Sequence, residues 1–186
     1  YAYLNRGLTL TYNNKRFRSS NGLLDLLNDN MDSEGLYPII HIKEDDFEYT
    51  FTHSDKVLTE ENYSFVNGQH TTQGGTHLAA FREAIVRVLK DFYKKDYEPS
   101  DIRNGLVSAI SLRIEEPVFE SQTKTKLGSV NMNEDKGPTV RNYINDIVKR
   151  TLDDFLHIHS DIADAILEKI VRNEKERKGL QNVKKL

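Results

Sequence analysis

Two hydrophobic periods alternate along this chain, and their order restricts the folds open to it. Apolar residues first recur at every second position: Leu8, Leu10 and Tyr12, then Phe47, Tyr49 and Phe51 set between Glu48, Thr50 and Thr52. A period of two sends alternate side chains to opposite faces, so such runs read as strands with one buried face. Ile39, Ile40 and Ile42 mark a further strand, and residues 63–66 continue the sheet. Leu78, Phe81, Ile85, Val88, Leu89 and Phe92 then follow at helical spacing, behind Thr76 as the expected N-cap. Leu106, Ile110, Leu112 and Ile114 mark a long strand. Helical spacing takes over at Val140, Ile144, Ile147, Val148, Leu152 and Phe155, breaks at residues 157–160, and resumes with Ile162, Ile166 and Ile170. A sheet, a central helix, another strand and a helical arm make an α/β sandwich, a mixed sheet packed on helices with a helical extension.

Smaller signals fill in the connections. Asn13-Asn14 tolerates left-handed backbone angles and suits a tight hairpin into a returning strand near Phe17. Ser20 is the expected N-cap of a short helix carrying Leu23, Leu24, Leu26 and Leu27. An acidic, flexible spacer is expected before Gly137-Pro138, with Pro138 in the first turn of the next helix.

Composition bounds the class. The 186 residues suit one fairly large domain or one domain with helical extensions, and 37% hydrophobic content supports a buried core. The net charge of −3 argues against a general nucleic-acid coat, although 26 Lys and Arg leave room for a local basic patch. The absence of cysteine excludes disulfides and thiolate metal sites. No apolar run approaches the ~20 residues of a membrane span, so no membrane partner is expected, and the location reads as cytoplasmic. Tyr1-Ala2-Tyr3-Leu4-Asn5-Arg6-Gly7 reads as the last turn of a helix closed by Gly7, and the far end runs into a lysine-rich helical tail. Both ends read as cut from a longer protein.

The stretch richest in chemistry is Ser121-Gln122-Thr123-Lys124-Thr125-Lys126-Leu127-Gly128, in a polar loop just beyond a strand. A lysine ammonium is a compact charge on a long stem, suited to a terminal phosphate. A glutamine beside it can add a hydrogen bond or orient an attacking water. On chemistry alone, a solvated loop bearing lysines is the commoner meaning of such a stretch.

The order of the residues adds more. Gln122-Thr123-Lys124 followed by Lys126-Leu127 resembles the Gln-Thr-Lys loop of the bacterial type IIA topoisomerase B subunits, gyrase and topoisomerase IV. Ser64-Phe65-Val66-Asn67, Gly74-Gly75-Thr76-His77, Phe81-Arg82, Asp101-Ile102-Arg103-Asn104-Gly105-Leu106, Ile110-Ser111 and Pro117-Val118-Phe119-Glu120 resemble the same family in order and spacing. Tyr3-Leu4-Asn5-Arg6-Gly7 resembles the end of its preceding ATPase domain. Asn67-Gly68-Gln69-His70-Thr71-Thr72 looks more like topoisomerase IV than gyrase. One departure stands out: after Leu127-Gly128 the family carries a glutamate and then a basic residue, where this chain has Ser129-Val130-Asn131-Met132.

The resemblance implies a transducer domain with a fold like domain 2 of ribosomal protein S5, including a left-handed strand–helix–strand crossover. Residues 1–7 would end the preceding ATPase domain, residues 8–160 form the transducer, and residues 161–186 lead toward a DNA-cleavage domain. It implies that Lys124 is the catalytic lysine at the γ-phosphate, that Gln122 and Lys124 contact ATP, and that Arg82 lines a cavity for DNA. ATP and Mg²⁺ would be used by the whole protein, none being expected on this segment alone, which should not hydrolyse ATP. The partners implied are DNA, the topoisomerase A subunit, and a second copy of the B subunit on ATP binding, in an enzyme that passes one duplex through another.

Other residues carry blander readings. His77 reads as a surface or capping residue, His157 and His159 as a structural pair, and Gly74-Gly75 as a tight turn rather than a phosphate cradle. Arg82 is as well read as a solvated helix residue, and the alternating charges of residues 172–178 as an exposed helix laced by i,i+4 pairs. Two rivals remain: a mismatch-repair or Hsp90-type relative on the same plan, and a stand-alone S5-like nucleic-acid-binding module. No metal site is expected.

Overall fold

The computed structural model describes residues 1–133 and 137–183. The expected spacer over residues 134–136 and the lysines of residues 184–186 lie outside the described residues. In chain order the elements are β1 (Thr9–Tyr12), β2 (Lys15–Arg18), α1 (Leu23–Asn30), β3 (Ile40–Lys43), β4 (Phe47–His53), β5 (Glu60–Val66), β6 (Gln69–His70), α2 (Thr76–Tyr93), α3 (Pro99–Arg103), β7 (Leu106–Leu112), α4 (Val140–Ile158) and α5 (Ser160–Val183).

β1 and β2 pair only with each other, turning at Asn13 and Asn14 with φ of 47° and 62°, the left-handed angles that a two-residue hairpin demands. The other five strands form one mixed sheet in the order β3-β4-β7-β5-β6. β7 sits at its centre, antiparallel to β4 and parallel to β5. A parallel pair cannot be joined by a hairpin. Here β6, α2 and α3 fill the crossover between β5 and β7.

The period of two explains the layers. Phe47, Tyr49 and Phe51 of β4, with Leu106, Ile110 and Leu112 of β7, turn to one face and share a core with α2, α4 and the first turns of α5. Phe81 of α2 closes on the aromatic ladder, with its ring 5.4 Å from Tyr49 and edge-on to Phe47 at 6.2 Å. Val107 and Ala109 of β7 turn to the opposite face, where Phe65 and the α1 leucines Leu23, Leu26 and Leu27 form a second core. Residues 1–7 form a turn rather than a regular helix, with Leu4 N–H donating to Tyr1 O and Asn5 N–H to Ala2 O; Tyr3 and Leu4 pack on the α1 side.

Several local expectations shift by a residue or more. The N-cap of α1 is Gly22, not Ser20. Ser19 Oγ accepts from Gly22 N–H at 2.9 Å, and Asp25 takes the N–H groups of Ser20 and Asn21. The N-cap of α2 is Gly75, not Thr76, whose hydroxyl donates to Ser129 O at 2.7 Å. Pro138 precedes α4, and Thr139 caps it, accepting from Asn142 N–H at 3.0 Å.

The arm differs most. Residues 172–178 are not simply a solvated face. Ile162, Ala163, Ile166 and Ile170 enter the main core, and Lys169, Asn173 and Arg177 continue the same helical face. Lys169 reaches Asp55 at 2.9 Å, Asn173 Nδ2 donates to Asp101 O and Asn104 O, and Arg177 forks onto the buried Asp101 carboxylate at 2.9–3.1 Å. One i,i+4 pair of the expected kind also forms, between Lys178 and Glu174 at 2.9 Å.

Candidate functional site

The lysine loop starts where β7 runs out. Beyond Pro117 the chain doubles back on itself: Gly128 N–H donates to Val118 O at 2.8 Å and Glu120 N–H to Lys126 O at 3.0 Å, with Phe119 bridged to Leu127. These bonds make a hairpin-like stem. Its tip is a turn closed by Lys124 N–H donating to Ser121 O at 3.0 Å, lined by the hydroxyls of Ser121, Thr123 and Thr125. Lys124 has φ of 55°, the left-handed region that few non-glycine residues occupy.

The two lysines are in different situations. Lys126 is paired with Glu120 at 2.8 Å, back along the stem. Lys124 is exposed at the tip, and among the described residues it forms no ion pair. Gln122 is exposed beside it on the same turn.

Leu127, fully buried, seats the loop on the rest of the protein. Its N–H donates to Gly74 O and its carbonyl accepts from Thr76 N–H, each at 3.0 Å, while Gln73 N–H donates to Thr125 O at 2.9 Å. Gly74 closes the expected tight turn, its N–H donating to Thr71 O at 2.9 Å, and Gly74-Gly75 serves in addition as a docking edge for the loop. Gly75 has φ of 131°, and a Cβ there would stand 2.5 Å from Leu127 N and 2.8 Å from its Cα.

His77 lies just inside this edge and is fully buried, contrary to its reading as a surface or capping residue. Its Nε2 meets Thr71 Oγ1 at 3.1 Å, and its Nδ1 has no partner among the described residues. Burial pushes the imidazole down to about 4. Being at the start of a helix does not imply exposure when that start is wedged between a strand hairpin and a docked loop. His157 and His159 stay with their own helix end, against Phe92 and Phe155 respectively.

Arg82 lies elsewhere. Its Nε and terminal nitrogen both donate to the Glu60 carboxylate at the start of β5, where Arg103 and Asn62 converge as well. Burial works against the Glu60 charge, but the hydrogen bonds from Arg82 and Asn62 outweigh it and hold the carboxyl below its ordinary value. The lysine loop follows the far end of β7 and docks on residues 73–76 at the start of α2, whereas Arg82, further along α2, turns to Glu60 at the first residue of β5. The structure brings Gln122 and Lys124 together and leaves Arg82 apart.

Residues 21–186 match the sequence family described as DNA gyrase B. This chain belongs to the DNA gyrase B family. It is 42% identical over its whole length to the DNA topoisomerase 4 B subunit of Borreliella burgdorferi, and 31% identical to the DNA gyrase B subunit of Helicobacter pylori. It spans 30% of the first of these relatives and 25% of the second. Among solved structures, the fold matches the 43K ATPase domain of Thermus thermophilus gyrase B with a TM-score of 0.80 at 23% identity, covering 99% of this chain and 53% of that one. The topoisomerase IV ATP-binding domain of Francisella tularensis gives 0.74 at 25% identity, covering 95% and 50%. The ATPase region of Saccharomyces cerevisiae topoisomerase II gives 0.62 at 26% identity, covering 91% and 43%. This mixed sheet packed on helices is thus shared with ATPase regions of gyrase B, topoisomerase IV and topoisomerase II, and membership removes both rival readings. Among the described residues, no helix is long and apolar enough to cross a membrane.

Proposed function

We propose that this chain is the transducer segment of a type IIA topoisomerase B subunit, in which Lys124 contacts the γ-phosphate of ATP held by another part of the same protein. The observation that carries this reading is Lys124, exposed at the tip of a docked loop and without an ion pair among the described residues, in a member of the gyrase B family, while neighbouring Lys126 is paired with Glu120. A positive charge set where a phosphoryl group gathers negative charge acts mainly in the transition state. Gln122, on the same turn, is suited to hydrogen-bond the nucleotide. Mg²⁺ would accompany the ATP; we assign it no ligand in this segment.

In this reading, ATP binding pairs two B subunits, hydrolysis shifts the transducer, and the shift accompanies passage of a DNA duplex in concert with the A subunit in the cytoplasm. Residues 1–7 would close the ATPase domain, residues 8–160 form the transducer, and residues 161–186 lead toward the DNA-cleavage part. The 42% identity to a topoisomerase IV relative favours that member over gyrase. Arg82 would face the transported duplex, with Glu60 holding its guanidinium.

The test is Lys124→Ala in the full-length protein. Hydrolysis is expected to fall on the order of 10²-fold or more while nucleotide binding persists. Hydrolysis at the wild-type rate would remove Lys124 from the mechanism.

A further inference from the structure

We propose that the segment of residues 73–76 is the positioning platform of Lys124, with Gly75 setting how deeply the loop seats. The inference rests on the γ-phosphate reading of Lys124 and assigns residues to it that touch no nucleotide themselves.

The attachment is nearly all backbone. Gln73 N–H, Leu127 N–H and Thr76 N–H make three main-chain bonds between the platform and residues 125–127, at 2.9, 3.0 and 3.0 Å. Side chains add two more: Thr125 Oγ1 donates to Gln73 Oε1 at 3.3 Å, and Thr76 Oγ1 donates to Ser129 O at 2.7 Å. Residues 125–127 thereby lie along the platform like an added parallel strand, bridged at Gly75 and Leu127. Lys124 is the next residue back from this ladder, so its Cα can shift little unless the ladder shifts.

The platform is itself fixed from behind. Gly74 N–H donates to Thr71 O at 2.9 Å, and the Thr71 hydroxyl lies 2.6 Å from Ser64 Oγ on β5 and 3.1 Å from His77 Nε2 on α2. Thr71, Ser64 and His77 are all essentially sealed from solvent. A surface loop is therefore tied, through one short segment, to the sheet and to the N-terminus of the central helix. Gly75 is where the fit is tightest. Any side chain there meets the Leu127 main chain rather than a flexible side chain, so the stem must move away. Its φ of 131° adds a backbone conformation that other residues rarely adopt.

A displacement of roughly 1 Å in a catalytic group can cost on the order of 10²-fold in rate. The experiment uses the full-length protein and measures steady-state ATP hydrolysis, with thermal unfolding as a check on folding. Gly75→Ala is expected to lower kcat by about that factor while KM for ATP stays within about twofold, because the platform acts on the transition state and not on nucleotide capture. Thr76→Val, which loses only the bond to Ser129 O, should lower kcat less, and Thr76→Ser should restore it. In a Lys124→Ala background, Gly75→Ala should cost nothing further, since groups that act as one unit are not additive.

Multiplicative losses in the double variant would overturn the platform, as would a raised KM at unchanged kcat. So would wild-type kcat in both Gly75→Ala and Thr76→Val. If Gly75→Ala does not fold, the Thr76→Val and Thr76→Ser pair decides. Lys124→Ala at the wild-type rate would sink the γ-phosphate reading itself. Loss in Lys124→Ala with normal rates in the platform variants would sink only this inference.

Discussion

Acidifying the protein from about pH 7 to about pH 5 is expected to remove a large part of its stability through two buried histidines. His53 and His77 are both fully buried, and burial pushes each imidazole from 6.5 down to about 4. For His53, burial and the nearby Lys169 charge outweigh the Ile102 carbonyl, which by itself would favour the charged form. The His53 Nε2–H donates to Ile102 O at 2.8 Å, which leaves Nδ1 to accept from Tyr37 Oη at 2.5 Å. The folded values lie below the unfolded ones, so the unfolded chain takes up protons first as pH falls. The stability contributed is complete above 6.5 and drains away between 6.5 and 4. At about pH 5, each histidine has given up roughly 2 kcal/mol, and the pair about 4 kcal/mol, against a typical domain stability of about 5–15 kcal/mol. Glutamates, several of them held below their ordinary value, begin to contribute at the acid end of this window, so the histidine slope is read between about pH 6 and pH 5. Urea unfolding at steps between about pH 6 and pH 5 should show a slope approaching two protons bound on unfolding, and His77→Gln should reduce it by about one. A flat stability profile, or an unchanged slope in His77→Gln, would refute the assignment.

Three further outcomes are expected. Phe81→Ala removes a fully buried ring from the Phe47–Tyr49 ladder and should cost about 3–5 kcal/mol in urea unfolding, with the fold retained. Lys126→Ala in the full-length protein should change ATP turnover by much less than Lys124→Ala, because Glu120 holds that lysine at 2.8 Å; equal losses would mean the working lysine is misassigned. Arg82→Gln should slow DNA-stimulated strand passage more than basal hydrolysis, and DNA affinity should fall with salt at a slope of about −0.9 per phosphate contacted; passage at the wild-type rate would make Arg82 simply the partner of Glu60.

Much of this was legible in the sequence where a period runs long enough. The alternation at Phe47, Tyr49 and Phe51 became a strand with those rings buried, and the stripes from Leu78 and Val140 became long helices. β6 and α3 escaped notice because two and five residues are too few to display a period. At the candidate site, the order of residues 121–128 singled out Gln122 and Lys124 through their resemblance to the family's loop, and their role is the proposal made above. The dock of Gly75 on Leu127 was not legible, since it joins residues 52 positions apart through backbone atoms that carry no side-chain signature. The burial of His77 depends on the same long-range closure. The arm was half legible: the isoleucines announced a buried face, but the targets Asp55 and Asp101 lie over 70 residues upstream of their basic partners.

The central place of β7 has a consequence for how the protein is made. β3 with β4, and β5 with β6, are local hairpins that form as soon as their own residues are available. The two hairpins are not bonded to each other, because β7 lies between them. During synthesis, β4 and β5 must therefore wait, each with an open inner edge, while residues 67–112, which hold β6, α2, α3 and β7, leave the ribosome. An unpaired strand edge is a template for the wrong partner. Pairing across such separations also slows closure of the sheet. The exposure ends only once Leu106–Leu112 is in place, since that one strand pairs with both inner edges. A substitution that disfavours β7 should thus show itself first as aggregation of nascent chains, before any loss of activity in the molecules that complete the insertion.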